Sequence, residues 1–498
     1  MMCGIAGVLQ QPASDNVKLM IEKIAHRGPD GHDVKTLARA TFGHTRLAIL
    51  DIEGGSQPMG HEDTWIAFNG EIYNYRELQK RFLPGQRLKT HSDTEVILYL
   101  YRKLGVDFVK HLGGMFAFAI YHNGEFVLAR DPLGIKPLYY GTSLDDRYLY
   151  FASEIKALKD HVSSVQEFPA GHWYHSQKGW QRFYQIEQTI RPFNGTESDA
   201  LPLIRSTLKE AVQKRLLGDV PVGVSLSGGL DSSIVSALAC EGTEQLHSFA
   251  VGVEGSEDLP ASQQMAEFLN TKHHQLVYTS EDMVKALPEV LYYLETFDPA
   301  LVRSAIPNYF LAKLASDHVK VFLTGEGADE IYAGYEYLSN FTDPDALQDE
   351  SVYITTALHN TNLQRADRMS MAFGLEARVP FLDVKSVALA LGFPASWKLH
   401  NKRVPKHLLR QAFVKDLPEN IVNRPKQKFS KGAGSSDLIA EIAEHKISDR
   451  EFESENRRLK KEWDYNLQNK EALYYYRGVR EYYEDSFLFP TMGHSRSL

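Results

Sequence analysis

Apolar residues in the first third of this chain come in short runs bounded by polar turns, a pattern of strands rather than of long amphipathic helices. The runs predict strands over 5–9, 65–68, 116–121, 126–129 and 149–152, with helices over 17–24 and 93–104. Many strands with few helices between them predict two stacked antiparallel sheets with helices outside, an αββα sandwich. A turn-rich stretch over 190–199, containing Pro192, Asn194 and Gly195, reads as a linker. Beyond it the pattern changes. A helix over 201–217, capped by Ser198 or Asp199, leads into strands over 220–224, 247–253, 275–278 and 320–323. Helices over 234–239, 260–269, 282–295 and 308–316 alternate with them. That alternation predicts a doubly wound parallel sheet. The rest of the chain reads as mostly helical, with a Tyr-rich helix over 471–483 taken as packing. The expectation is a two-domain α/β protein, divided at 3–190 and 197–498.

Composition narrows the class. A chain of 498 residues is too long for one core. Hydrophobic residues at 43% and charged residues at 24% fit an ordinary globular protein. The formal net charge of −9 argues against nucleic acid as a partner. No apolar run approaches the roughly 20 residues of a membrane span, and no signal segment opens the chain. The two cysteines, Cys3 and Cys240, make no disulfide framework. A cytoplasmic protein without membrane partner is expected, and a homodimer is compatible with the sequence.

Three stretches carry chemistry. Ser225-Leu226-Ser227-Gly228-Gly229-Leu230-Asp231-Ser232-Ser233 lies between a predicted strand and a predicted helix. Strand, glycine turn and helix N-terminus together aim backbone N–H groups at an anion. Ser227, Ser232 and Ser233 add hydroxyl donors, and Asp231 can hold a cation beside phosphates. No Lys follows the glycines, so this is not the P-loop of Walker-type ATPases. The second stretch, Thr324-Gly325-Glu326-Gly327-Ala328-Asp329-Glu330, sets carboxylates around two glycines at a strand end and suits Mg²⁺ on a nucleotide. The third is the start, Met1-Met2-Cys3. A cysteine there is either a small buried hydrophobe or an N-terminal nucleophile whose own α-amine serves as base.

The neighbouring motifs favour the nucleophile. His26-Arg27-Gly28-Pro29-Asp30-Gly31 is a polar turn, Arg46 stands at the start of an expected strand, Asn69, Gly70 and Glu71 at a strand end, and Asp93 before a helix. With the stretches over 129–140 and 151–158, they resemble the class II glutamine amidotransferase domain, an Ntn-type glutaminase. The loop at Ser227 resembles that of the ATP pyrophosphatases, which cleave ATP between the α- and β-phosphates. The whole chain resembles the glutamine-hydrolysing asparagine synthetases of the asparagine synthetase B family. Some β-lactam-forming synthetases share the architecture but lack the N-terminal cysteine and its glutamine pocket.

The resemblance implies ATP-dependent synthesis of asparagine from aspartate and glutamine through β-aspartyl-AMP, with ATP and Mg²⁺ as cofactors. It implies Cys3 as nucleophile, with Asn69 and Gly70 as oxyanion donors. It implies a glutamine pocket of Arg46, Leu47, Leu50, Asn69, Gly70, Glu71 and Asp93. ATP would lie on Leu226, Ser227, Gly228, Gly229, Leu230, Asp231, Ser232, Ser233, Val251, Thr324 and Gly325, with metal on Asp231 and Asp329. Glu326 and Lys406 would be catalytic and Arg303 would bind the acceptor. Many family members read Thr-Thr-Ile-Arg where this chain has Ala300-Leu301-Val302-Arg303, which leaves a different acid acceptor as the alternative. The intact Cys3, Asp231 and Asp329 speak against a non-catalytic relative. The chemistry also implies a working chain that begins at Cys3, most simply through translation from Met2.

Overall fold

The computed structural model describes residues 3–399, 404–425 and 438–493. Met1 and Met2, on which the expected start at Cys3 turns, lie outside that range. The first region contains strands β1 (Gly4–Leu9), β2 (Gly31–Leu37), β3 (Ala40–Arg46), β4 (Met59–His61), β5 (Thr64–Ile72), β6 (Gly114–His122) and β7 (Glu125–Arg130). It continues with β8 (Tyr139–Thr142), β9 (Leu149–Ala152), β10 (Gln166–Glu167), β11 (His172–His175) and β12 (Gly179–Arg182). They form two six-stranded sheets, β10-β8-β9-β1-β3-β2 and β12-β11-β7-β6-β5-β4, whose paired strands run antiparallel.

The strand alternation decides what each layer holds. Ile5 and Leu9 of β1 meet Ala67 of β5 and Ala117 and Ala119 of β6 in a cluster between the sheets. Ala6 and Val8 point the other way, onto α1 (Ser14–Lys23) with its Val17, Met20 and Ile21. Ile66 and Phe68 of β5 pack outward with Val96, Ile97 and Leu100 of α2 (Asp93–Leu104). This is the expected αββα sandwich. By the same alternation Asn69 and Glu71 share the face of Ala67, toward the first sheet.

The second region begins with α3 (Glu197–Lys214). Its cap is Thr196, not Ser198 or Asp199. The Thr196 side chain accepts from the Asp199 N–H, and Asp199 reaches back to the Thr196 N–H, so Asp199 is the inner half of a capping box. Strands β13 (Val222–Ser225), β14 (His247–Gly252), β15 (Lys272–Val277), β16 (Val321–Leu323) and β17 (Glu376–Arg378) form a parallel sheet ordered β15-β14-β13-β16-β17. Helices α4 (Leu230–Cys240), α5 (Asp258–Leu269), α6 (Ser280–Leu294) and α7 (Pro299–Ser316) connect these strands, and α8 (Asn362–Met371) precedes β17. The chain order reverses between β13 and β16, so the loops that leave them sit side by side. That switch point is where open α/β sheets bind ligands. The Tyr-rich segment forms α9 (Lys470–Val479), with Leu473, Tyr475 and Tyr476 in the core.

Candidate active sites

Two sites emerge, one in each region. The first is where β1 enters its sheet. Cys3 is buried, and its backbone N–H donates to Asn69 Oδ1 across the sandwich (3.1 Å). The other end of the same amide, Asn69 Nδ2, is buried without a hydrogen-bond partner. A native structure keeps such a donor for a reason, and this one is on the side chain that holds the Cys3 backbone. Gly70 follows in β5 opposite Phe116. A Cβ there would lie 2.1 Å from the Met115 carbonyl, so only glycine lets β5 and β6 pair at this point. The Leu47 N–H is hydrogen-bonded to the Cys3 sulfur, while burial pushes the thiol up to about 12. A thiol buried in this way needs an adjacent base to ionise.

The amino-acid end of the pocket is carboxylate-rich. Asp93 Oδ2 accepts from Ile72 N–H (2.9 Å), and Glu71 lies 3.5 Å from Arg378 Nη2. Both carboxyls are fully buried and both are pushed up, first by burial; Glu71 reaches about 7, with Asp93 adding to it. Two buried carboxylates close together repel, and an ammonium group between them would relieve both. Arg46 ends β3 rather than starting a strand. Its Nη2 donates to the carbonyls of Asp51 (3.0 Å) and Ile52 (2.7 Å), and its Nε is buried without a partner. Leu50, Asp51 and Ile52 line a cleft of about 670 Å³ that also touches Ser92, the cap of α2.

The second site lies at the switch point, a cleft of about 150 Å³. Ser227, Gly229, Leu230, Asp231 and Ser232 line it from the β13 loop, and Thr324, Gly325, Glu326 and Asp329 from the β16 loop. The two loops touch: a Cβ on Gly325 would lie 2.8 Å from Asp231 Cβ. Lys406 reaches in from far along the chain, and its Nζ pairs with Asp231 Oδ2 (2.5 Å) and Asp329 Oδ1 (2.6 Å). Lys406 has φ of 59°, the left-handed conformation that a non-glycine residue adopts only when its surroundings hold it. Two carboxylates thus converge on one cation, and Asp231 Oδ1 is buried and unpartnered. Hard oxygen donors in that arrangement fit Mg²⁺. Glu326 is paired with Arg365 Nη2 of α8. Glu330 accepts from Tyr335 OH (2.5 Å) and Asn362 Nδ2 (3.2 Å), and burial, then Asp329, pushes it up to about 7.

Several expected residues stand elsewhere. Leu226 and Val251 are core residues that do not line the cleft, because alternation turns them into the apolar layers beside the sheet. Gly228 packs its backbone against Ala261, and Ser233 is fully buried in α4. Arg303, expected at the acceptor, is held by Glu471 of α9 (Nε to Oε1 2.8 Å), since its position on α7 faces that helix and not the cleft. Asn308, one helical face further along α7, lines the cleft instead. Asp258, Arg410 and Arg424 also line it and carry no motif. Arg424 clasps the loop, donating to Ser227 O (3.1 Å) and Asp258 Oδ1 (2.8 Å).

The two sites are joined by buried charge. Arg27 donates to Cys3 O (3.2 Å) and pairs with Glu154 (2.6 Å) and, across the regions, with Asp367 of α8 (2.8 Å). Glu295, at the end of α6, accepts from the Ile155 and Lys156 backbone N–H groups (2.9 Å each) and pairs with Arg368 (2.8 Å). Arg378 touches both sites: its side chain lies by Glu71, and its carbonyl accepts from Thr324 N–H (2.9 Å) at the start of the β16 loop.

Comparison with known proteins agrees with this layout. Residues 2–187 match the glutamine amidotransferase domain family, and residues 203–343 and 339–486 match the asparagine synthase family. A probable glutamine-hydrolysing asparagine synthetase of Dictyostelium discoideum is 38% identical over 495 residues, covering 91% of this chain and 89% of the relative. Asparagine synthetase B of Escherichia coli is 37% identical, covering 98% and 92%. Asparagine synthetase 3 of Arabidopsis thaliana is 39% identical, covering 87% and 80%.

Proposed function

The chain belongs to the glutamine-hydrolysing asparagine synthetase family, and from that premise we propose how its own residues divide the reaction. The enzyme makes asparagine from aspartate, drawing nitrogen from glutamine and energy from ATP. We assign glutamine hydrolysis to residues 3–190 and amide synthesis to 197–498. We assign the reaction, whose substrates are all small molecules, to the cytoplasm.

In the first site the Cys3 sulfur attacks the glutamine carboxamide carbon. The α-amine of a chain that starts at Cys3 takes the thiol proton and returns it to the departing ammonia. Asn69 Oδ1 anchors that amine, and Asn69 Nδ2 and the Gly70 N–H face the oxyanion of the tetrahedral intermediate. Water then cleaves the glutamyl thioester, which releases glutamate and frees the thiol. Glu71 and Asp93 accept from the α-ammonium of glutamine, and Arg46 pairs with its α-carboxylate.

In the second site the triphosphate lies on the Ser227–Ser232 turn and the N-terminus of α4. Asp231 and Asp329 would hold Mg²⁺, which neutralises phosphate charge when bound. Lys406 then turns from the carboxylates to the phosphates. The aspartate β-carboxylate attacks the α-phosphorus, pyrophosphate leaves, and ammonia displaces AMP from the acyl carbon. Glu326, oriented by Arg365, stands to accept the proton that ammonia must lose. Arg303 is free to bind the acceptor only if it leaves Glu471, so Asn308 is a second residue for that end. The convergence of Asp231, Asp329 and Lys406 from three distant segments supports this reading most strongly. A reaction with glutamine, ATP and aspartate tests it. Asparagine, glutamate, AMP and pyrophosphate are expected together; ADP with phosphate, or no product until another acid replaces aspartate, would overturn it.

A further inference from the structure

Three imidazoles lie at the margin of the parallel sheet opposite the nucleotide cleft, and the reaction uses none of them. His247 opens β14, two residues before Phe249, and Phe249 is in register with His274 on β15. Strand alternation therefore puts His247, Phe249 and His274 on one face of the sheet, at its β15 edge. His318 follows the end of α7, in the turn that returns to β16, and its N–H donates to Ala315 O (3.0 Å). One ring nitrogen from each histidine lies within 4.8 Å of the other two. His247 Nδ1 and His274 Nε2 are 3.1 Å apart, and the His274 and His318 rings stack with centroids 3.9 Å apart.

A packing role alone explains this group poorly. Each imidazole has the other two and the Phe249 ring as ring neighbours. The charged and titratable groups that act most strongly on His274 are His318, His247, Lys272 and His273. Burial, then those neighbours, pushes His274 down to about 4, and His247 is lowered by burial and Lys272. A cation here would also face the C-terminal end of the 18-residue helix α7, where backbone carbonyls favour positive charge.

We propose that His247, His274 and His318 form a three-imidazole site for a divalent transition-metal ion of the Zn²⁺, Ni²⁺ and Cu²⁺ class, which ties the turn after α7 to the edge of the sheet. Nitrogen ligands without carboxylates select that class over Mg²⁺ or Ca²⁺, and three ligands leave a fourth position for water. His318 is exposed, so its ring can leave the stack and bring a lone pair to the common point. β14 is six residues long, roughly 20 Å, which separates this site from the cleft beyond the opposite strand ends.

Equilibrium dialysis of the full chain against Zn²⁺, with Mg²⁺ in excess, tests the site. One bound equivalent is expected, with a rise in melting temperature and, with Co²⁺ substituted, visible d–d absorption from nitrogen ligation. His318→Ala and His274→Ala should each weaken binding by at least about tenfold, the lower end for disturbing even an outer partner of a metal site. Both should abolish the thermal shift while asparagine synthesis stays intact. His318→Ala changes an exposed turn residue, so it keeps the test valid if the His274 variant folds poorly. Zn²⁺ binding equal in the parent and both variants, or no bound Zn²⁺ in the parent, would overturn the proposal.

Discussion

The Asn69 side chain gives its two ends two tasks: Oδ1 accepts from the Cys3 N–H, and Nδ2 stays buried and unpartnered. An oxyanion is the natural partner of such a donor. Asn69→Ala should therefore lower kcat for glutamine hydrolysis by about 10²–10³, with a smaller change in KM, measured by glutamate release. Glu71 makes a pH prediction. Its carboxyl rises from 4.5 to about 7 on folding, so the folded chain holds an extra proton between those values. The stability this group contributes is present below the unfolded value and is lost as pH rises through the folded one. Glutamine needs the ionised form. KM for glutamine should fall as pH rises through 7, and Glu71→Gln should give a high KM that no longer varies over that range. Part of this was readable in the sequence: Cys3 and Asp231 each belong to a stretch with a stated chemistry, and Asn69 and Lys406 followed from the family resemblance. Asp258, Asn308 and Arg424 were not, because each is a lone polar residue whose meaning depends on which loop the fold sets beside it.

At the scale of elements, apolar pattern located most pieces and misjudged those built on buried polar residues. The helix over 93–104 is α2, residue for residue. β3 was expected to begin at Arg46 and instead ends there, because Thr41, His44 and Thr45 are buried and hide the strand from a reading based on apolar alternation. β2 and β17 were missed for related reasons: β2 is largely polar, and Glu376 and Arg378 of β17 are buried as an ion pair. Cap chemistry was read one turn late at α3, where Thr196 and Asp199 form a reciprocal pair. Thr196→Ala should destabilise the chain by about 1 kcal/mol, seen as a lower urea midpoint with an unchanged m value, and should leave both activities unaltered.

Across the whole molecule, the two regions meet through ions rather than through apolar surface alone. Arg27 lies more than a hundred residues from Glu154 and from Asp367, as Arg378 does from Glu71, and no local pattern in the sequence pairs them; Glu376, two residues from Arg378 on β17, is the local partner that holds its side chain. Arg378→Ala would leave Glu71 and Glu376 buried without their cation and free the Arg215 and Leu217 carbonyls. Breaking a buried pair in this way costs about 3–5 kcal/mol, so a large drop in the urea midpoint is expected, with a raised KM for glutamine in whatever folds. Such joints couple two sites that remain chemically separate, one built around Cys3 and one around Asp231, Asp329 and Lys406. That separation is tested most directly by Cys3→Ala, assayed for asparagine with glutamine and with ammonium as nitrogen source. Loss of glutamine-dependent synthesis with ammonium-dependent synthesis retained is the expected result; equal loss of both, in a variant that folds, would contradict the division of the reaction between two sites.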